Sequence, residues 1–338
     1  MTSRHPASLA VNTIPSDSTR AKGAHMAWFP PLRKPAGRLA AALAAALMWA
    51  PGAVLAQDMS RIEFTDAAGQ AITAGVWTPN AAPPGARPLI VISHGNGGGF
   101  MGHADTAEAL AGAGFVVAAL NHPHDNNQDM SRSTQLTDRP AEVSALIDHM
   151  TTGWRGPVEV DASRIGAFGF SAGAFTVLAP AGAESDGQAI LDHCAGHPEF
   201  FVCTLFTPET LNLAEWRPAG GDPRVKAVTA AAPGFGFSFS DESLRGVTIP
   251  VQLWQAEDDQ ILPAPFHVET VRDRLGGSVE YHPVPLAGHL DFMRPCSPEM
   301  AAAAPEICRS NPGFDRAAFK RDFNEAVVVF FLRTLVAG

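Results

Sequence analysis

The chain has 338 residues, of which 46% are hydrophobic and 17% charged, with a formal net charge of -10. That composition supports a packed core in one large or two small domains and excludes an intrinsically disordered chain. No basic run follows the first 40 residues, so nucleic acid is not an expected partner.

The N-terminus reads as a targeting segment. Arg33, Lys34 and Arg38 precede an apolar, alanine-rich run from Leu39 to Trp49. Pro51 and Gly52 break the run, and Ala53-Val54-Leu55-Ala56 supplies small residues before Gln57. This is the order of a secretory signal, with cleavage expected after Ala56 and a periplasmic or secreted product. The apolar run is short for a membrane span, so no stable span is expected after processing; an uncleaved anchor is the alternative. Six basic residues and one acid lie in 1–56, which leaves 18 basic against 33 acidic residues and a net charge of -15. Residues 57–338 are expected to form a single domain.

Taken in chain order, "RIEFTD" and "AITAGVWTPN" alternate apolar and polar residues around a glycine-containing turn at 66–70 and predict a hairpin. "PLIVISHG" (88–95) is a continuous apolar run ended by glycine, as in a strand covered on both faces. A short helix is predicted over 105–115, a buried strand in "FVVAALNHP", and a helix over 138–153 with Pro140 in its first turn. "RIGAFGF" predicts a third buried strand, followed after Ser171 by an alanine-rich helix. Residues 180–222 interrupt this rhythm with prolines and no clear strand, as expected of a lid or binding insertion. The alternation resumes with strands over 225–234 and 249–259, a helix in "APFHVETVRDRLG", a last strand in "VEYHPVPLAGH" and an amphipathic helix over 314–335. Buried strands alternating with helices define an α/β protein with a mainly parallel sheet, to which the hairpin adds an antiparallel edge.

All four cysteines follow residue 180, as two close pairs, Cys194 with Cys203 and Cys296 with Cys308. Four cysteines allow three pairings; in an oxidising compartment their proximity favours two local disulfides. No C-x-x-C is present, so zinc is not expected.

The chemistry concentrates at strand ends. "GFSAG" (169–173) fits the G-x-S-x-G nucleophile elbow and stands between an apolar strand and a small-residue helix. A serine hydroxyl needs a base to take its proton and an acid to orient that base. "LAGHLDF" offers His289 as the base, and "QAEDDQILP" offers Glu257, Asp258 and Asp259 as acids. Asp259 is preferred because Ile261, Leu262 and Pro263 can anchor its loop; Asp258 is the runner-up. "SHGNGGGF" (93–100) supplies a flexible glycine loop, and the backbone N–H groups of Asn96 and Ala172 are the expected oxyanion donors. No G-K-[ST] follows that loop and no dinucleotide fingerprint surrounds it, so no cofactor is expected.

"NHPHDNN" (121–127) gathers two histidines, an aspartate and asparagines. Its histidines straddle Pro123 and no second ligand cluster accompanies them, so a loop beside the site is preferred to a metal centre. His124, Asn126, Phe100 and Phe170 are candidate substrate contacts.

"VISHGNGGG", "GFSAG", "AEDDQILP" and "AGHLDF", in that order, resemble the α/β-hydrolase superfamily. More narrowly, the chain is similar to exported bacterial serine hydrolases grouped with dienelactone hydrolases and platelet-activating-factor acetylhydrolases. "DRPAEV" and the paired cysteines are also similar to that group. The resemblance covers 61–335 and implies an α/β-hydrolase fold and hydrolysis of a small ester substrate through Ser171, His289 and Asp259. It departs in detail, because dienelactone hydrolases use a cysteine where Ser171 stands, and acetylhydrolases commonly carry histidine and glycine where Phe170 and Ala174 stand. An amidase or thioesterase with the same groups, or a non-catalytic binding protein on this scaffold, are the alternative readings.

Overall fold

The computed structural model describes residues 59–80, 84–277 and 279–337. The expected signal segment and the expected cleavage point after Ala56 lie outside the described residues.

Strands β1 (Ser60–Thr65) and β2 (Ala71–Trp77) pair antiparallel as a hairpin. Its turn closes because the Asp66 carboxylate accepts the N–H groups of Ala68 (2.9 Å) and Gln70 (2.8 Å). The chain continues through β3 (Arg87–Ser93), α1 (Ala104–Gly112), β4 (Val116–Leu120), α2 (Arg139–Asp148), β5 (Val160–Phe170) and α3 (Ala172–Leu178). Then come α4 (Gly187–Gly196), α5 (Phe201–Leu205), β6 (Val225–Ala231), α6 (Asp241–Gly246), β7 (Val251–Ala256), α7 (Val268–Arg274) and β8 (Val279–Val284). Two short helices, α8 (Pro298–Ala303) and α9 (Pro305–Cys308), precede the long α10 (Arg316–Leu335). The eight strands form one sheet in the order β1-β2-β4-β3-β5-β6-β7-β8. Pairing is antiparallel from β1 to β4 and parallel from there to β8.

The central strands are apolar throughout because helices cover both faces. Leu89 and Val91 of β3 point into a core shared with α2, α3 and α7, while Ile90 and Ile92 point into one shared with α1 and α10. On the second face α10 lies close to the sheet where Gly166 leaves room for a ring: a Cβ there would come within 2.6 Å of Phe331 and 2.9 Å of Ile90.

Three segments differ from the sequence reading. The helix expected from 264 starts only at Val268, since Pro263 and Pro265 disfavour helical backbone in the residues before them. The 180–222 stretch holds no named strand, but it does hold two helices the sequence did not announce. Asp186 caps α4 by accepting the Gln188 N–H (2.8 Å), and a Cys194–Cys203 disulfide ties α4 to α5. After β8, α8 and α9 form a loop closed by a Cys296–Cys308 disulfide. No helix among the described residues is long and apolar enough to cross a membrane.

The Gly166–Phe331 contact predicts a non-additive pair. Gly166→Val should cost about 3 kcal/mol by overpacking and Phe331→Ala about 4 kcal/mol by leaving a cavity. The double variant should cost clearly less than their sum in urea unfolding, because the new side chain occupies the vacated space.

Candidate active site

The candidate groups all arrive at the carboxyl ends of parallel strands, where open α/β sheets build their sites. The 94–99 loop follows β3, Ser171 follows β5, Asp259 follows β7 and His289 follows β8.

Ser171 sits in the left-handed region at φ 57°, ψ -120°, held there by its N–H donating to Ala231 O (2.9 Å) and its carbonyl accepting from Phe175 N (3.0 Å). A non-glycine residue is strained at this backbone geometry. Neighbouring atoms dictate the flanking glycines: a Cβ on Gly169 would overlap the Gly173 carbonyl, and one on Gly173 would overlap the Ser93 carbonyl. The start of α3 is thereby pressed against the end of β3.

Ser171 Oγ lies 2.9 Å from His289 Nε2, and His289 Nδ1 lies 2.7 Å from Asp259 Oδ2. The other Asp259 oxygen accepts the N–H groups of Ile261 (2.9 Å) and Leu262 (2.7 Å), so the loop that follows fixes the carboxylate. Asp258 is exposed and engages Ala287 O through its backbone N–H (3.0 Å), away from the imidazole. The Phe170 ring packs on the His289 ring at 4.8 Å between centroids. Asp291 steadies the His289 turn: one of its oxygens accepts the Gly288 N–H (2.8 Å), and the other accepts from Arg316 Nε (2.8 Å) and from the Ser310 hydroxyl.

Gly95 packs against Phe170 and Ser171, which brings the following Asn96 to the serine. Among the described residues neither the Asn96 N–H nor the Ala172 N–H has an intramolecular acceptor. Both residues line a cavity of about 420 Å³ that also contains Ser171 and His289. Two amides without partners beside a nucleophile can receive the charge of a carbonyl oxygen under attack.

A buried polar scaffold underlies the glycine loop, built from two sequence stretches, 121–127 and the start of α2. Asp125 Oδ1 accepts from Gly97 N (2.8 Å) and from Asn96 Nδ2 (3.3 Å), and the Asn96 amide also donates to Ser133 O (2.7 Å). The fully buried Arg139 guanidinium lies 3.5 Å from the Asp125 carboxylate and donates to the His94 carbonyl. Beneath these, Ser93 Oγ lies 2.7 Å from His122 Nε2, whose Nδ1 is 2.6 Å from Glu142. Burial pushes Glu142 up to about 8, and burial together with Arg139 holds His122 well below the usual range. Both shifts favour the uncharged form of each partner. The sequence reading missed Arg139 and Glu142, although "DRPAEV" contains both.

Three expected substrate contacts lie elsewhere. Phe100 packs against Gly75, and its N–H donates to Asn121 (2.7 Å). His124 bonds Asp129 (2.7 Å), and Asn126 donates to His122 O (2.8 Å) while accepting from Gln128 N (2.9 Å), so both serve their own loop. The cavity wall instead comes from Phe170 and Phe235 and from the 180–222 insertion expected to be a lid or binding segment, chiefly Phe201, Val202 and Leu205 of α5. Among the described residues no group of three His, Cys, Asp or Glu side chains could hold a metal.

No family model and no curated protein matches this chain. Solved structures do. A ferulic acid esterase from Streptomyces cinnamoneus superposes with a TM-score of 0.59 at 19% identity, covering 84% of this chain and 91% of that one. A dienelactone hydrolase-like promiscuous phosphotriesterase from metagenomic libraries superposes with a TM-score of 0.54 at 16% identity, covering 83% of this chain and 99% of that one. The chain thus has an α/β-hydrolase fold, related to that of dienelactone-hydrolase-like proteins.

The buried titrating groups set a pH optimum for stability. Burial lowers His94, His103 and His267 to about 3 and His122 well below its usual value. Each histidine takes a proton near pH ~6.5 when unfolded but not when folded, so each removes stability as pH falls below ~6.5. Glu142 has the opposite sign: its contribution is complete below ~4.5 and is lost as pH rises through about 8. At acid pH these four histidines, joined by the partly buried His149 and His193, which burial also lowers, oppose Glu142; between neutral pH and about 8 Glu142 removes stability as pH rises. The urea midpoint should peak near pH ~6.5 and fall steeply toward pH ~5. In Glu142→Gln the decline between neutral pH and about 8 should flatten.

Proposed function

We propose that the protein is a serine hydrolase of carboxylic esters. The observation that carries this reading is the line of hydrogen bonds from the strained Ser171 through His289 to Asp259. His289 Nε2 takes the hydroxyl proton as Ser171 Oγ attacks the ester carbonyl carbon. The imidazolium is balanced by Asp259, and the carbonyl electrons move onto an oxygen that the Asn96 and Ala172 N–H groups receive. On collapse the bond to the alcohol oxygen breaks, and His289 returns its proton to that oxygen. Water, deprotonated by the same imidazole, then cleaves the acyl-enzyme and releases the acid.

An alcohol is an easier group to expel than an amine, and His289 is the one proton donor beside the serine in this mechanism. The names of both superposed proteins describe hydrolysis of esters, carboxylic in one and phosphoric in the other. The reading includes export, with cleavage after Ala56 and a periplasmic or secreted product. The N-terminal sequence supports it, and so do two disulfides, which persist in oxidising compartments.

The test is hydrolysis of p-nitrophenyl butyrate together with covalent labelling by a fluorophosphonate. Ser171→Ala should abolish labelling and lower kcat by at least about 10⁴-fold. Asp259→Asn should lower kcat by about 10⁴-fold, whereas Asp258→Asn should change it less than about twofold, as expected for an exposed carboxylate. Labelling that survives in Ser171→Ala would overturn the assignment.

A further inference from the structure

The cavity at Ser171 is one half of a longer cleft. A second hollow of about 410 Å³ shares the wall of Gly97, Gly98 and Gly99 with the first, and also Met293 and Ile307. Ser171 and His289 line the first hollow alone, and the second adjoins it along the shared wall. The first runs under α5, against Val202, Leu205, Phe206 and Phe235. The second runs between the glycine loop and the loop closed by Cys296–Cys308, against Met101 and Met300.

Charge is nearly absent from both. No Asp, Glu, Lys or Arg lines the first hollow, and Arg294, which is exposed, is the one such residue on the second. The mouth is apolar as well. Among the described residues eight large hydrophobic side chains stand in solvent, and four of them, Met101, Met130, Phe201 and Met300, ring this cleft at between 42 and 53% exposure. Exposed apolar side chains gathered at one place mark a surface that binds apolar groups, and methionine adapts to their shape.

We propose that the cleft takes an uncharged ester with an apolar chain on each side of its carbonyl, the acyl chain lying under α5 and the alcohol chain beside the Cys296–Cys308 loop. This rests on the serine-hydrolase reading and names its substrate class. The direction follows from the proton. The leaving oxygen must face His289 Nε2; in the segment that follows, Leu290 lines the first hollow, Met293 lines both, and Arg294 to Ser297 line the second alone. The alcohol is accordingly assigned to the side toward which that segment leads, and the acyl chain to α5. A carboxylate at the far end of the acyl chain would enter a wall with no cation to meet it, and burying an unpaired charge is costly. The -15 charge of the chain beyond Ala56 adds long-range repulsion.

Four esters test this with the wild-type protein: hexyl hexanoate, hexyl acetate, ethyl hexanoate and hexyl hydrogen adipate, whose acyl chain ends in a carboxylate. Lengthening the acyl chain from acetate to hexanoate should raise kcat/KM about 100-fold, and lengthening the alcohol from ethyl to hexyl at least about tenfold, by burial of methylenes. The terminal carboxylate should cost at least about 30-fold. Val202→Trp should cut the acyl-length ratio about tenfold more than the alcohol-length ratio, and Met101→Asp the reverse, because Val202 lines only the first hollow and Met101 only the second. Equal kcat/KM across the four esters, or preference for the adipate monoester, overturns the inference and leaves the serine hydrolase standing. So does failure to cleave any of them by a protein whose Ser171 still reacts with a fluorophosphonate; loss of that labelling as well overturns both.

Discussion

One steric contact governs the site. Helix α3 can begin where it does only because position 173 has no side chain, which lets its backbone rest on the Ser93 carbonyl at the end of β3. Any Cβ there would push the helix off the sheet. The contact sets the strained turn at Ser171 and brings the 94–99 loop beside the serine, so that Asn96 and Ala172 line the same cavity. Asp259 and His289 then need only the ordinary parallel register of β7 and β8 to arrive beside it. A single close approach between backbones thus does what several side-chain contacts would do less rigidly.

The loop that carries Asn96 is held from beneath by polar groups buried away from water. Arg139, Asp125, His122 and Glu142 would each be costly alone. Their mutual contacts, and shifts that favour uncharged forms of His122 and Glu142, reduce that cost, and the result is a glycine-rich segment held in place from beneath. A loop with this many glycines would otherwise lose its aim to conformational entropy. Preorganised donors stabilise a developing oxyanion because they need no rearrangement at the moment of reaction.

Most of the sheet was legible because burial on both faces forces long apolar runs, and "PLIVIS", "FVVAAL" and "RIGAFGF" are such runs. Ser171, Asp259 and His289 could be read because each follows a strand and is followed by an anchoring turn. The preference for Asp259 over Asp258 came from Ile261 and Leu262, whose backbone N–H groups do hold its carboxylate. The 180–222 insertion was legible as a lid or binding segment, but the short helices that wall the cleft were not. Helices α5, α8 and α9 have five, six and four residues, too few for an apolar period to emerge. Their place is set by disulfides and by tertiary packing. His124 and Asn126 misled for a related reason: polar residues gathered in a loop often bind one another, and in 121–129 they do.

Each disulfide closes a short loop, and each loop forms one wall of the cleft while contributing none of the three hydrogen-bonded groups. Under the proposed function, the sheet would carry the reaction and the bridged loops the choice of molecule. Either loop could then be exchanged without disturbing the Ser171–His289–Asp259 hydrogen bonds, so that selectivity would change by swapping small cross-linked cassettes on an unchanged sheet.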